Sequence, residues 1–223
     1  MSTTTSPTSS TVPTNIVELN SARLRWICPS CKSPLTQVGQ PVHACKACGA
    51  QPSTLGSGIA NFLGGDTTVA EKILGWTDEF VTEILAWVDG TELDTVPSEQ
   101  LRRHLEFAGL LDPQGNISGI GRLIIYHLSE YRWQTTENGQ VKIDEQFSRF
   151  MNLAGVDKDS LISDIGCGAG QTLRLLNSYK PLARIGIDLD AETLAFGFRI
   201  ASDHENKIAF ARASGHALPL PDR

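Results

Sequence analysis

The chain has 223 residues, of which 40% are hydrophobic, and its formal net charge at pH 7 is −6. Its apolar runs are all shorter than the roughly 20 residues that a membrane-spanning helix needs, so we expect no membrane partner. The acidic balance disfavours a protein that holds nucleic acid over its whole surface, because phosphate binding needs a basic footprint.

The N-terminal segment 1–20 begins MSTTTSPTSSTVPT and is rich in Ser, Thr and Pro. It cannot bury enough apolar surface to offset its ordering entropy, so we predict a disordered tail. It has neither the basic start and apolar run of a secretory signal nor the arginines of a typical transit peptide. We therefore expect a cytoplasmic location.

Four of the five cysteines form two C-x2-C pairs within CPSCKSPLTQVGQPVHACKACG. Two such pairs can direct four thiolates at one tetrahedral zinc ion, and a site without a water position is structural. A redox dithiol would need one pair beside a βαβ unit, and disulfides would need an oxidising compartment. The sequence therefore predicts a zinc ribbon over 21–66 that folds around Zn²⁺. Its ligands would be Cys28, Cys31, Cys45 and Cys48.

The ribbon carries a family resemblance from Leu24 to Leu63. Its cysteine core and the ending SGIANFL resemble the zinc ribbon of the methyltransferase-activator (tRNA methyltransferase subunit) type. Ala60 stands where that family usually has proline. Related ribbons precede ribosomal RNA guanine methyltransferases, so the resemblance implies a connection with methyl transfer.

Residues 67–140 have apolar side chains at three- and four-residue steps, which predict a helical module. The segment DPQG (Asp112 to Gly115) predicts a type I turn, and Ser118 is a candidate N-cap of the following helix. The module resembles the winged-helix-like units that some methyltransferases place before their catalytic fold, and a plain helical packing layer is the alternative. His104 and His127 show no partner pattern, so neither is assigned a chemical role.

The segment SLISDIGCGAGQTLRLL predicts a buried strand over Leu161–Ile165, a glycine turn and a helix. Glycines at alternate positions of the turn let the backbone approach a ligand at the carboxyl end of the strand. These glycines are Gly166, Gly168 and Gly170.

Two more strands are predicted, at Arg184–Ile187 and Ile208–Ala213. The second strand ends in Asp188, whose carboxylate can accept hydrogen bonds from both hydroxyls of a ribose. Asp190 is placed to cap the next helix. The third strand leads into SGHALPLPD.

From about Phe147 to Arg223 the sequence resembles the class I S-adenosylmethionine-dependent methyltransferases. The resemblance is carried by D-x-G-C-G-x-G, the acidic end of the second strand and LPLPD. It implies S-adenosyl-L-methionine as cofactor and assigns the methionine amino group to Asp164 and the ribose hydroxyls to Asp188. Ser214 takes the position that contacts adenine, where the family usually has aspartate. The whole implied set is Asp164, Gly166, Cys167, Gly168, Gly170, Asp188 and Ser214.

We therefore expect an α/β fold: a partial Rossmann-like doubly wound sheet over 141–223, preceded by the helical module and the ribbon. Only three of the seven strands that the resemblance implies are present, so we expect an incomplete methyltransferase with its catalytic residues beyond residue 223. The strand over 161–165 would be an open edge. A doubly wound domain that binds another adenosine ligand, such as a nicotinamide dinucleotide, is the alternative.

The function that we expect is methyl transfer to an acceptor, with a small molecule slightly favoured over RNA. The main alternative is a non-catalytic zinc-ribbon partner or activator subunit of another methyltransferase. A zinc-dependent nucleic-acid module is a third hypothesis. A second copy of the chain, or another protein, is the expected partner for the open sheet edge.

Overall fold

The computed structural model describes residues 24–56, 58–89, 99–134, 136–201 and 208–221, so the predicted tail at 1–20 lies outside the described residues. The described residues contain strands β1 (Arg25–Ile27), β2 (Pro34–Gln37), β3 (Ser53–Leu55), β4 (Ile59–Asn61), β5 (Leu161–Ile165), β6 (Ala183–Asp188) and β7 (Ile208–Arg212). Their helices are α1 (Thr68–Leu74), α2 (Asp78–Asp89), α3 (Glu99–Phe107), α4 (Gly119–Gln134), α5 (Glu137–Ala154), α6 (Gln171–Leu175) and α7 (Ala191–Ala201).

Five of the strands form one mixed sheet in the order β3-β4-β7-β6-β5. Strands β5, β6 and β7 are parallel, β4 joins β7 in parallel, and β3 pairs with β4 antiparallel. All three strands predicted from the C-terminal part of the sequence are present to within one residue at each end. The α/β class with a mainly parallel sheet is thus confirmed.

Helices cover one face of this sheet. Helix α6 packs against β6 and helix α7 against β7, with Leu173, Phe196 and Phe210 all fully buried in one apolar cluster. Helices α1 to α4 extend the same cluster outward. Arg199 of α7 fixes this layer, because its Nε donates to the carbonyl oxygen of Trp76 at 2.8 Å and its Nη2 pairs with Asp78.

The cysteine-rich segment covers the opposite face. Trp26 is 1% exposed and packs with alanines and isoleucines of β6 and β7 in a second apolar cluster. The LPLPD segment closes this layer, since Leu218 and Leu220 pack against the cluster and the amide of Ile27 donates to the carbonyl of Pro219 at 2.9 Å. The segment therefore forms a third layer of the fold.

The predicted domain boundaries remain predictions, but one hairpin and one helix do not follow them. The β3–β4 hairpin falls within the predicted ribbon at 21–66 and yet belongs to the main sheet. Helix α5, which the sequence patterns did not indicate, runs through the boundary at residue 140.

The turn and the N-cap that the sequence predicts in the helical module are both present. The Asp112 carbonyl accepts from the amide of Gly115 at 2.9 Å, which closes the predicted turn. Ser118 Oγ accepts from the amide of Gly121 at 3.0 Å, as expected of an N-cap.

The predicted open edge is also present. Within the described residues β5 has one neighbour, β6. Leu161 and Ile165 on this strand are 46% and 49% exposed. The cysteine-rich segment covers β6 and β7 but leaves the outer strand β5 accessible.

Close packing of α7 against the glycine turn generates a stability prediction. A methyl group on Gly197 would lie 2.5 Å from the carbonyl oxygen of Ala169, so Gly197→Ala requires the helix or the turn to shift. We expect the free energy of unfolding to fall by about 1–3 kcal/mol, the usual cost of overpacking. Urea denaturation measures it.

Gly119→Ala is the matched control. It makes the same change at the start of α4, where no atom lies within 4 Å of the added methyl group. We expect its stability to be unchanged or slightly higher, because alanine is the better helix former. Equal urea midpoints for the two variants would contradict the packing argument.

Candidate functional site

The glycine turn after β5 is folded onto the end of β6. The amides of Gly166 and Cys167 both donate to the carbonyl oxygen of Ile187, at 2.8 and 3.2 Å. Gly166, Gly168 and Gly170 have φ angles of 79°, 53° and 75°, in the left-handed region that favours glycine. The sequence therefore needs glycine at these positions to bring the turn to the carboxyl edge of the sheet.

Asp188 at the end of β6 holds this turn in place. Its Oδ2 accepts from the amide of Gly168 at 2.8 Å, and its Oδ1 accepts from the amide of Asp190 at 3.0 Å. Asp190 in turn accepts from the amide of Thr193 at 2.6 Å and caps α7, as predicted. A carboxylate has about four lone-pair positions, so Asp188 retains acceptor capacity for a ligand.

Asp164 lies on β5 opposite Gly186, near the same edge. Burial raises the pKa of its carboxyl, a hydrogen bond with the Thr172 side chain opposes this shift, and the charge of Asp188 adds to it. The structure thus brings the two predicted acidic residues near enough to interact electrostatically.

Cys167 is buried beneath the turn. A methyl group on Gly186 would lie 2.9 Å from its Sγ, so the thiol faces the β6 backbone. Burial raises the pKa of this thiol, and the charges of Asp188 and Asp164 raise it further. The thiol therefore stays protonated at neutral pH, which opposes nucleophilic chemistry.

Ser214 lies in the turn that follows β7, at the same edge. Its Oγ accepts from the amide of His216 at 3.2 Å, and the His216 side chain is exposed. The turn leans toward β5, since a methyl group on Gly215 would lie 3.5 Å from Ile165 Cγ2. Leu189, next to Asp188, is 59% exposed and offers an apolar surface there.

His127 is a site residue that sequence reasoning missed. It lies on α4 and is 8% exposed, and its Cε1 would be 3.1 Å from a methyl group on Gly168. Burial lowers its pKa, the charge of Arg174 lowers it further, and the charges of Asp188 and Asp190 oppose the shift. Nothing in the sequence shows which helix covers the glycine turn, so no pattern could have found it.

The four cysteines of the two C-x2-C pairs come together as predicted. Their sulfur atoms all lie within 4.8 Å of one another, with Cys28–Cys48 and Cys31–Cys45 distances of 3.7 and 3.6 Å. Tetrahedral zinc with Zn–S bonds of about 2.3 Å would separate its sulfurs by about 3.8 Å. The cluster could therefore bind a metal ion such as zinc.

The two cysteine turns share one backbone pattern. Each first cysteine accepts from the amide four residues later, Lys32 in one turn and Gly49 in the other, at 2.9 and 2.8 Å. Both of these residues have positive φ, 61° and 77°. Gly49 thus adopts the left-handed conformation that favours glycine, and Lys32 adopts the same conformation in the first turn.

Hydrogen bonds give two of the cysteine thiols very different pKa values. The Ser33 side chain and amide lower the pKa of Cys31 to about 6. The amide of Ala50 lowers the pKa of Cys48, but hydrogen bonds with the other thiols, Cys31 first, outweigh it and raise the value to about 12. A bound metal ion would remove this competition by taking all four sulfurs as thiolates.

Comparison with known proteins adds no further constraint. The chain matches no known family model, and a search of curated proteins finds none similar to it. In the part of the chain that is described, no helix is both long and apolar enough to cross a membrane.

The cysteine cluster generates a metal-content prediction. We expect Cys28→Ser with Cys31→Ser to lower bound zinc from one ion per chain to near zero, measured by metal analysis of the purified protein. Structural metal sites stabilise the folded state directly, so the melting temperature should fall as well.

Cys167→Ser is the control for this experiment, because it removes a buried thiol outside the cluster. We expect its zinc content to match that of the unaltered chain. Equal zinc in the double variant and the control would refute the metal site.

Proposed function

We propose that the chain binds S-adenosyl-L-methionine at the carboxyl edge of β5, β6 and β7 and serves methyl transfer to a small-molecule acceptor. The observation that carries this proposal is the Asp188 carboxylate, held at the end of β6 against the glycine turn with acceptor capacity to spare. The parallel order β7-β6-β5, with a helix following each glycine or acidic turn, supports a Rossmann-like arrangement.

Asp188 is suited to the ribose of an adenosine ligand. A carboxylate accepts two hydroxyl hydrogen bonds at once, whereas an amide would offer only one oxygen. The exposed side chain of Leu189 beside it gives the adenine ring an apolar surface, and Ser214 Oγ supplies a polar group nearby. The adenosine half of the ligand thus has a partner of each required type.

Asp164 is the proposed acceptor for the methionine amino group. An ammonium beside it would favour the ionised carboxyl and oppose the effect of burial on its pKa. Gly166 leaves room for the methionine chain, because no atom lies within 4 Å of the position that a Cβ would take there. At Gly168 and Gly170 the corresponding space is filled by His127 and Phe210, so these glycines allow close packing of the turn.

S-adenosyl-L-methionine, when bound, supplies an electrophilic methyl group on a sulfonium. The residues of this chain would hold that group in line with the acceptor and exclude water, which is the main source of rate in such a displacement. No side chain described here is assigned a proton-transfer role. Catalysis by the proposed site therefore rests on orientation.

The cysteine cluster is proposed as a structural zinc site. Four cysteine sulfurs fill a tetrahedral shell and leave no position for a reacting water. The ion would stabilise the layer that covers the second face of the sheet. The overall charge of −6 further favours a small acceptor over RNA.

Asp188 generates the test of this proposal. We expect Asp188→Ala to weaken S-adenosylhomocysteine binding by about 1–3 kcal/mol, because a carboxylate that accepts the ribose hydroxyls is lost. Isothermal titration calorimetry of the full chain measures the affinity.

Asp157→Ala is the matched control, since this exposed carboxylate lies in the turn before β5, away from the carboxyl edge of the sheet. We expect it to bind as the unaltered chain does. Absence of S-adenosylhomocysteine binding by the folded, zinc-loaded chain would overturn the proposal, and equal affinity of the Asp188 variant would refute the role of that residue.

A partner subunit is the second candidate function, favoured by the open edge of β5. Exposed apolar side chains beside unpaired backbone groups can add a strand from another chain. In this function the proposed cofactor pocket at the carboxyl edge of the sheet would be complete only when the partner chain is bound.

The edge generates its own prediction. If the chain pairs through β5, Leu161→Lys should shift it toward monomer in analytical ultracentrifugation, since a charged edge residue opposes strand addition. Leu153→Lys on α5 changes a leucine that is 82% exposed and should leave the association unchanged. A monomeric unaltered chain, or equal effects of both variants, would remove self-pairing at this edge.

A further inference from the structure

Buried polar atoms without partners are concentrated around the glycine turn. In the described residues seven buried side-chain nitrogen or oxygen atoms lack a hydrogen-bond partner, and five of them belong to four side chains near this turn. Buried polar groups are nearly always paired, so such a concentration indicates an absent partner. We name these side chains the turn cluster: His127, Gln171, Arg174 and Thr193.

Arg174 presents one edge of its guanidinium within this cluster. Its Nη1 donates to the carbonyl oxygen of Ala169 at 2.5 Å, and its guanidinium carbon lies 5.3 Å from the centre of the Tyr131 ring. Its Nε and Nη2 have no hydrogen-bond partner among the described residues. These two nitrogens form the edge that binds both oxygens of a carboxylate or phosphate.

The charge of Arg174 also lacks a counterion within the part of the chain that the structure describes. Burial lowers its pKa to about 10, which leaves the guanidinium protonated at neutral pH. The groups that oppose this shift are Tyr131 and Cys167, and neither is a carboxylate. None of the ion pairs among the described residues includes Arg174. A buried unpaired charge is costly, and an anion would relieve that cost.

Other members of the cluster add neutral donors. His127 is 8% and Thr193 2% exposed, and Nδ1 of the former and Oγ1 of the latter lack partners. Gln171 contributes an unpaired Nε2 directly after Gly170. A neutral imidazole, an amide and a hydroxyl can each donate to an oxygen.

We propose that Arg174, Gln171 and His127 form a subsite for the anionic group, a carboxylate or a phosphate, of a small-molecule ligand beside the glycine turn. Helix α4 encloses the subsite, since His127 and Tyr131 lie four residues apart on one helical face. Enclosure favours a small molecule over the backbone of a folded RNA. The inference rests on the proposed function only for the ligand's identity, which is the methyl acceptor or the amino-acid end of the cofactor.

Two measurements on the full, zinc-loaded chain test the subsite. The first compares melting temperatures in sodium phosphate and in sodium chloride of equal ionic strength. The second compares the affinities for S-adenosylhomocysteine and for 5′-methylthioadenosine, which lacks the carboxylate. The test variant is Arg174→Gln, and the control is Arg103→Gln, which removes an exposed guanidinium on α3.

We expect Arg174→Gln to lose the response to an anion that the unaltered chain and the control retain. A loss of about tenfold in S-adenosylhomocysteine affinity, with methylthioadenosine unchanged, would assign the subsite to the cofactor's carboxylate. Loss of the phosphate stabilisation alone would assign it to the acceptor. Gln171→Glu, which supplies an internal carboxylate, should lose the same response and serves if the arginine variant does not fold.

Equal responses of the arginine variant and the unaltered chain in both measurements would overturn the subsite. If the unaltered chain binds neither adenosine ligand, the proposed function fails, and the phosphate comparison still decides on the subsite. The two failures are therefore distinguishable.

Discussion

Burial of both faces of β6 and β7 is the constraint on which the rest of the structure depends. Parallel strands are apolar on both sides, so each face needs a covering layer. Helices cover one face, and the cysteine-rich segment with Trp26 covers the other. The cysteine cluster thus lies in a layer of the main fold, and the contribution of a bound metal ion to folding would extend to the sheet itself.

The carboxyl edge of the sheet, where we propose ligand binding, is connected to that layer through Arg212. Its Nε donates to the carbonyl of Leu189 at 3.0 Å, and its Nη1 donates to the carbonyl of Gly64 at 2.5 Å. The first contact lies next to Asp188, and the second follows β4. The proposed ribose position and the strand that continues from the cysteine segment therefore share one side chain, so the two candidate sites lie on one connected framework.

The sequence predicted those parts of the fold that depend on local chemistry. The glycine turn, the acidic end of β6, the cap at Asp190 and the two cysteine turns each follow from a few adjacent residues. Long-range pairing could not be predicted in this way. The parallel contact between β4 and β7 joins residues about 150 positions apart and leaves no periodic signal in either segment.

Helix α4 shows the same limit at the candidate site. Its apolar periodicity predicts a packing helix, yet His127 and Tyr131 on its inner face contact the glycine turn and Arg174. Leucine at either position would bury its side chain without losing hydration of a polar group, so folding alone does not explain the polar choice. The proposed ligand of the turn cluster would explain the choice of His127, and the helical module would then take part in recognition as well as in packing.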